Sequence, residues 1–259
     1  MLDQTVTSTS EESGSTTPKK VSISGSNFKD TLEFVPNDDE TVTGAYYKMT
    51  APVKAFANVT NGSAVLESLR SVSADEVLAY KPSKEDLKAE GVDLDNPYAE
   101  INAEFTDIKV HLYASKAYDQ EENSMVKVYN PDTKMLYAIT ASKVAWATTS
   151  YEAMRYEYVM KPNMDFIKNI EITAGGKSYS FDLTKETETD SEGNETTSTV
   201  VKCGKTTIDS SKFDTFFINL ESAQLNSVKS GNVSGKADLT VKFTYNNDKP
   251  AETFTFYKG

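Results

Sequence analysis

Short runs of alternating apolar and polar residues recur along this chain, a pattern typical of β-strands that bury one face. Val21 to Ile23, Leu32 to Phe34 and Tyr98 to Phe105 are such runs, and polar or glycine-containing turns separate them. Two more, Met125 to Tyr129 and Met135 to Ile139, flank an Asn-Pro-Asp-Thr-Lys turn and predict a hairpin. Strands this short, joined by tight turns, indicate sheets that are mostly antiparallel.

Three segments carry their apolar residues at helical spacing instead. The first places Val65, Leu66 and Leu69 on one stripe. The second lies between Ser83 and Gly91, residues that suit an N-cap and a left-handed helix end. The third runs from Ser210 to Glu221. The mixture predicts an α+β fold in which short helices pack on one face of the sheets.

The order of these elements repeats along the chain. A shift of 151 residues superimposes the first helix on the last and brings three apolar pairs together: Val65 with Phe216, Leu66 with Phe217, and Leu69 with Leu220. The following strands also coincide, residues 101–106 with 239–244 and residues 110–113 with 254–257. Any two amphipathic helices can be aligned on their leucines, but the shared order of strands and helix favours duplication. We therefore predict two tandem related units, at residues 21–160 and 161–259, the second truncated at its C-terminus.

Composition indicates where the protein works. Residues 1–20 are rich in Ser, Thr and Glu and almost free of apolar residues, as in a disordered tether. We expect that tether to follow a membrane anchor absent from this chain, so that the chain reaches the membrane only through it. The net charge of -12 opposes binding to nucleic acid or anionic lipid. These features favour an anchored, extracytoplasmic protein of the lipoprotein type, with no nucleic-acid partner.

Four stretches together resemble a known family. They are Tyr47 to Pro52, the helix around Val65, Ala74 to Val77, and Gly91 to Pro97, and the hairpin from Met125 to Ile139 fits the next element. Their order is similar to that of the bacterial domain of unknown function 4340, over about residues 32–160 and beyond them through the repeat. The resemblance implies an outward-facing bacterial surface protein, sometimes encoded beside ABC-type exporter or gliding components. It implies no catalytic residue.

Residue types that carry chemistry are scarce. His111 is the only histidine and falls on the polar face of its strand, where we expect it to be exposed and non-catalytic. Cys203 is the only cysteine, and we expect a buried, inert thiol. Asp190 and its acidic neighbours imitate the start of a calcium loop, but the twelfth position is Thr199, which cannot close the site. We therefore expect no metal and no cofactor, and a solvated loop at residues 185–198.

One cluster suits a partner surface, because tyrosine and arginine are enriched where proteins bind one another. It comprises Tyr151, Arg155, Tyr156 and Tyr158, although we prefer the alternative that this stretch is a linker packed on both units. The preferred hypothesis is a non-enzymatic interaction or scaffold domain with an envelope protein partner, accessory to an ABC-type exporter system. One alternative is a glycan, peptide or small-molecule binding protein with its site between the units. Another is a hydrolase with two close carboxylates. The oligomeric state stays open.

Overall fold

A computed structural model describes residues 4–8, 17–106, 108–120, 123–228, 231 and 233–258. The chain divides into two units, of which unit 1 comprises residues 1–38 and 44–156 and unit 2 comprises residues 39–43 and 157–259. The short segment 39–43 therefore belongs to unit 2, although it lies early in the sequence. The boundary predicted from the sequence, after residue 160, is close to this division. The sequence analysis did not predict that residues 39–43 belong to unit 2.

In its described residues, unit 1 is built mainly from short strands, with three α-helices and a 3-10 helix at Ala141–Ala147. Its strands and α-helices are, in chain order, β1 (Thr5–Ser8), β2 (Lys20–Ser24), β3 (Leu32–Pro36), β4 (Tyr47–Ala51), β5 (Ala55–Phe56), α1 (Val59–Glu67), β6 (Ser71–Ser73), β7 (Glu76–Tyr80), α2 (Lys84–Ala89), β8 (Ala99–Glu104), β9 (Lys109–Ala114), β10 (Tyr118–Gln120), β11 (Asn123–Asn130), β12 (Met135–Thr140) and α3 (Tyr151–Met154). The main sheet has the order β5-β4-β3-β2-β8-β9-β11-β12-β7, with β10 paired to β11, while β1 and β6 form a separate two-stranded sheet. These strand pairs are antiparallel.

The main sheet of unit 1 buries apolar side chains on both faces. Tyr137 and Ile139 of β12 pack in the core that contains Trp146, and Leu136, the residue before Tyr137, packs with Leu87 of α2. Successive residues of a strand point to opposite faces, so α2 lies on the face opposite Trp146. The prediction that the helices share one face is therefore wrong for unit 1. The run from Met135 to Ile139 contains no polar residue, so its sequence pattern could not distinguish the two faces.

The predicted tether at residues 1–20 is wrong where the structure describes it. Thr5–Ser8 forms β1, antiparallel to β6, and Val6 is only 3% exposed. The buried Asn130 side chain donates a hydrogen bond to the Val6 carbonyl at 3.0 Å. One β-branched apolar residue between β-forming threonines is enough to add an edge strand here. Residues 1–3 and 9–16 of the predicted tether lie outside the described residues.

Unit 2 has one sheet, one α-helix and a short 3-10 helix at Met164–Phe166. Its strands and α-helix are β13 (Ile167–Ala174), β14 (Lys177–Thr189), β15 (Glu195–Cys203), β16 (Thr206–Thr207), α4 (Ser210–Glu221), β17 (Leu239–Tyr245) and β18 (Glu252–Phe256). The sheet order is β16-β15-β14-β13-β17-β18, and these pairs are antiparallel. Phe213 and Phe217 of α4 are buried in one core with Ile170, Val241 and Phe243 of the sheet.

The predicted loop at residues 185–198 is instead a continuation of β14 and β15. Thr187 and Thr197 pair across these two strands, and their hydroxyls lie 3.0 Å apart. Only a tight turn remains, in which Asp190 accepts hydrogen bonds from the backbone N–H groups of Glu192 and Asn194. The threonines that suggested a polar loop are also strong β-formers, which explains the wrong prediction.

Several local predictions are confirmed. Ser83 caps α2 in a reciprocal capping box with Asp86, and Gly91 adopts a left-handed backbone beyond the helix end. Asp209 caps α4 by accepting a hydrogen bond from the Lys212 N–H. The hairpin of β11 and β12 forms with the expected turn. The fold is mainly β and of the α+β class, with mostly antiparallel sheets.

Candidate functional site

The segment 39–43 is attached to unit 2 by backbone pairing. Val42 forms an antiparallel bridge with Pro162, and the Thr43 N–H donates to the Lys161 carbonyl at 3.0 Å. The Asn163 N–H donates in turn to the Thr41 carbonyl at 2.7 Å. The segment is therefore held against residues 161–163, and the side chains of Asp39 and Thr41 reach Lys249 in the turn between β17 and β18.

Lys249 is the centre of the polar cluster at this turn. Its ammonium lies 2.9 Å from Asp39 Oδ2 and 3.0 Å from Glu252 Oε1, and only 16% of its side chain is exposed. It also donates a hydrogen bond to the Thr41 hydroxyl and lies 4.6 Å from the centre of the Tyr245 ring. We refer to these five residues, Asp39, Thr41, Tyr245, Lys249 and Glu252, as the Lys249 cluster.

Two groups of the Lys249 cluster have displaced pKa values. Burial alone would raise the pKa of Asp39, but hydrogen bonds from Thr41 and Lys249 outweigh it and hold the pKa below its usual value. For Tyr245, burial and then the hydrogen bond from its hydroxyl to Glu252 Oε2, 2.5 Å long, raise the pKa well above the usual value. The cluster thus keeps Asp39 ionised and Tyr245 protonated at neutral pH.

The Lys249 cluster holds two distant parts of the chain together. Each of its side chains is engaged by another member, and together they attach segment 39–43 to the turn that joins β17 to β18. A catalytic carboxylate needs an oxygen within hydrogen-bond reach of a substrate. In this arrangement Lys249 already forms ion pairs with both carboxylates. The geometry therefore stabilises the contact between segment 39–43 and the turn that joins β17 to β18.

A groove of about 440 Å³ adjoins the same segment. Its lining combines charged and apolar side chains, including Lys161, Asp214 and Glu221 with Met164, Phe217 and Ile218. Lys161 and Glu221 form an ion pair at 2.9 Å, and Lys161 also lies 4.8 Å from the centre of the Tyr158 ring. Ile218 is 59% exposed, so the groove has an apolar rim.

Two of the four residues predicted as a partner surface are buried. Arg155 and Tyr156 are buried, at 7% and 9% exposure, because the chain there pairs with β5 and its neighbour: Ala57 bridges to Arg155, and the Tyr156 N–H donates to the Phe56 carbonyl at 2.6 Å. Tyr151 is half-buried at the start of α3. Tyr158 belongs to unit 2 and the other three to unit 1. The predicted surface is therefore wrong for Arg155 and Tyr156.

His111 and Cys203 both differ from the expectations. His111 is half-buried, with Nε2 2.8 Å from Glu100 Oε1 and its ring 4.7 Å from that of Tyr113. Cys203 shares a strand face with Val201, as predicted, but is half-buried. It lies opposite Phe181, close to the edge of the sheet, where β16 is only two residues long.

The Lys249 cluster was missed by the sequence analysis. Thr41 and Lys249 are 208 residues apart, and no spacing rule links positions so distant. Asp39 occurs in an acidic run that reads as a polar turn, and Lys249 occurs in another turn. The only available signal was that both turn sequences are rich in Asn and Asp, which gives no indication that they meet.

Within the described residues, no group of three or more His, Cys, Asp or Glu is placed to hold a metal ion. No helix of that same part of the chain combines the length and the apolar character needed to cross a membrane. Comparison with models of known families, with curated proteins and with solved structures finds no match to this chain.

Proposed function

We propose that this protein is a non-enzymatic scaffold made of two related antiparallel units, which acts by protein contact outside the cytoplasm. The proposal keeps the resemblance to the bacterial domain of unknown function 4340 and the role beside an ABC-type exporter that it implies. It rests chiefly on one observation, the correspondence of strand order between the units.

The two units share an order of elements along the chain. In unit 1, β2 to β5, then α1, then β8 and β9 follow one another, with β6, β7 and α2 inserted after the helix. In unit 2, β13 to β16, then α4, then β17 and β18 do the same without the insertion. The corresponding sheet orders are β5-β4-β3-β2-β8-β9 and β16-β15-β14-β13-β17-β18. A shared order in six strands and a helix favours duplication over coincidence.

Cross-strand register supports the same interpretation. The cross-strand partners in question are Ile101 with Leu112 and Ala103 with Val110 in unit 1, and Leu239 with Phe256 and Val241 with Phe254 in unit 2. The sequence alignment of the two halves carries the first two pairs onto the second two. Register sets which side chains face the core, so a chance alignment would seldom preserve it.

The polar chemistry of unit 2 is consistent with a scaffold. The charged groups of the Lys249 cluster bind one another and hold segment 39–43 in place. Such a contact gives a β-rich domain a fixed shape, which is what a protein-contact surface requires. This favours a structural role for the Lys249 cluster.

The extracytoplasmic location can be tested by thiol labelling in the bacterium that encodes the protein. We would express the complete natural gene, replace Cys203 by serine, and introduce Thr197→Cys on the exposed part of β15. A small membrane-impermeant maleimide should label this variant in intact cells as fully as in lysed cells. Labelling only after lysis would contradict the location.

The scaffold role predicts a stable complex. After mild detergent extraction, the protein should migrate in a native gel with at least one other envelope protein, and the same complex should form with the Thr197→Cys variant. Migration of the protein alone, at every detergent concentration that keeps a known envelope complex intact, would contradict the scaffold role.

A further inference from the structure

The groove beside segment 39–43 has an apolar lining, and all of its lining residues belong to unit 2. Pro162 and Met164 line one side, and Phe217 and Ile218 of α4 line the other. Phe217 is 4% exposed and Ile218 is 59% exposed, so the apolar surface extends from the core of unit 2 to solvent. Such a surface suits an aliphatic chain that lies along it.

The charges that line the groove do not balance. Lys161 and Glu221 offset each other at 2.9 Å, and their side chains are only 23% and 18% exposed. Asp214 precedes Ile218 by one helical turn and lies on the same face of α4. Among the described residues, no ion pair or hydrogen bond engages the Asp214 carboxylate. The groove therefore presents one uncompensated negative charge beside an apolar surface.

Unit 2 already holds two of its own lysines in surroundings of this kind. Lys161 pairs with Glu221 and lies 4.8 Å from the centre of the Tyr158 ring. Lys249 is held in the same way by the carboxylates and the ring of the Lys249 cluster. In both places a carboxylate binds the ammonium while neighbouring side chains cover the aliphatic stem. At Asp214 the carboxylate is present, but the described residues supply no lysine to it.

We propose that the groove binds the side chain of a lysine on a partner protein. The ammonium donates to the Asp214 carboxylate, and the methylene stem lies on Ile218 and Met164. A groove of about 440 Å³ has the volume of a small-ligand site, so residues that flank this lysine enter with it. The proposal rests on the proposed scaffold role, because it names the kind of residue by which the partner is recognised.

The test uses the peptide acetyl-Ala-Lys-Ala-amide as the probe and its norleucine analogue as the neutral isostere. Contact is followed on the full chain through isotope-labelled isoleucine Cδ1 methyl groups. The lysine probe should shift the Ile218 signal, with a dissociation constant on the order of 1 mM, and leave the signal of the fully buried Ile23 of unit 1 unchanged. An exposed ion pair contributes little, so the lysine probe should bind only about twofold to fivefold more tightly than the norleucine probe. Equal affinities, or no shift of Ile218, would overturn the proposal.

A charge-matched pair of variants locates the interaction. Asp214→Asn should abolish the preference for the lysine probe over the norleucine probe. Glu188→Gln removes one negative charge from an exposed position of β14 that does not line the groove, and it should keep the wild-type preference. Equal loss in both variants would mean that net charge selects the cation, which would overturn the site. Circular dichroism confirms that both variants are folded.

Two further probes test the stem and the source of the cation. A peptide with diaminobutyrate in place of lysine has two methylene groups fewer and should bind at least about threefold more weakly. Equal binding would show that the apolar lining plays no part and would overturn the proposal. Butylammonium carries the ammonium and stem without flanking peptide groups. Tighter binding of butylammonium than of the lysine probe would assign the groove to free amines and overturn the protein partner.

Failure of this proposal can be distinguished from failure of the scaffold role. If the lysine probe binds but no complex is found in the native gel, the scaffold role alone is contradicted. If the complex forms and Asp214→Asn leaves it intact, recognition of the partner through this groove is overturned. Loss of the complex in Asp214→Asn, with retention in Glu188→Gln, is the result that we expect.

Discussion

Replacing Lys249 by methionine should destabilise unit 2 substantially. The substitution keeps most of the side-chain volume but removes the ammonium that lies between Asp39 and Glu252, at 2.9 and 3.0 Å. Two carboxylates would then share a site without their cation, and the hydrogen bond to Thr41 would be lost. The contact that holds segment 39–43 would become repulsive.

The expected loss lies between two reference cases. Removing one partner of a fully buried ion pair costs about 3–5 kcal/mol, whereas an exposed pair is worth about 0–1 kcal/mol. Lys249 is 16% exposed and its carboxylate partners are 28% and 36% exposed, so the cluster is intermediate. We expect a loss of about 2–3 kcal/mol, which corresponds to a fall of roughly 1 M in the urea midpoint.

Two reporters separate the units in this experiment. The only tryptophan, Trp146, is fully buried in unit 1, and the only cysteine, Cys203, lies in unit 2. Urea unfolding followed by tryptophan fluorescence reports on the first unit, and the rate of Cys203 alkylation reports on the second. Lys249→Met should accelerate alkylation at low urea and leave the fluorescence transition less affected.

Lys242→Met is the control for Lys249→Met. Lys242 is on β17 and pairs with Glu171 at 3.2 Å, but its side chain is 39% exposed and that of Glu171 is 51% exposed. An exposed pair of this kind contributes at most about 1 kcal/mol. If Lys249→Met costs no more than Lys242→Met, the Lys249 cluster does not fasten segment 39–43 and the reasoning above is refuted.

Three further predictions concern acid, base and backbone geometry. The folded state holds the pKa of Asp39 below its unfolded value of 3.8, so the ionised carboxylate stabilises the fold above pH 3.8, and this stability is lost as pH falls through the folded pKa. The urea midpoint of the wild type should therefore drop more between about pH 7 and about pH 3 than that of Asp39→Asn. Equal drops in the two proteins would contradict this prediction. Because burial raises the pKa of Tyr245, stability should decline above about pH 10 as the unfolded state ionises. This decline should be smaller in Tyr245→Phe, and equal declines in urea midpoint would be evidence against the raised pKa. Gly25 has φ +126°, and an added Cβ would lie 2.5 Å from the Tyr98 carbonyl oxygen. Urea unfolding should therefore show that Gly25→Ala lowers the free energy of unfolding by more than about 3 kcal/mol. The control Gly176→Ala, whose added Cβ meets no atom within 4 Å, should lower it by about 1 kcal/mol.

Local signals in the sequence predicted local structure well. Ser83 and Asp209 cap their helices because short polar side chains satisfy the free N–H groups of a first turn, and this chemistry is visible within four residues. The hairpin of β11 and β12 follows from the turn residues between its strands for the same reason. The α+β fold class and the antiparallel direction of the strands follow from these local signals.

The predictions that failed depend on contacts between distant residues. Val6 becomes buried only because β6, which comes much later in the sequence, lies beside it. Arg155 is buried because the chain next to it pairs with the region around Ala57. The Lys249 cluster is the extreme case, since its members come from the two ends of the sequence. None of these pairings has a local sequence pattern.

The duplication of the antiparallel unit is tested most directly by cross-strand NOEs in the full chain. Backbone protons of Leu239 should show NOEs to Phe256, and those of Val241 to Phe254, matching Ile101 with Leu112 in unit 1. Such a pattern would place both units in the register that the sequence alignment requires. Pairing of Leu239 with Thr255 or Tyr257 instead would break the correspondence and contradict the duplication.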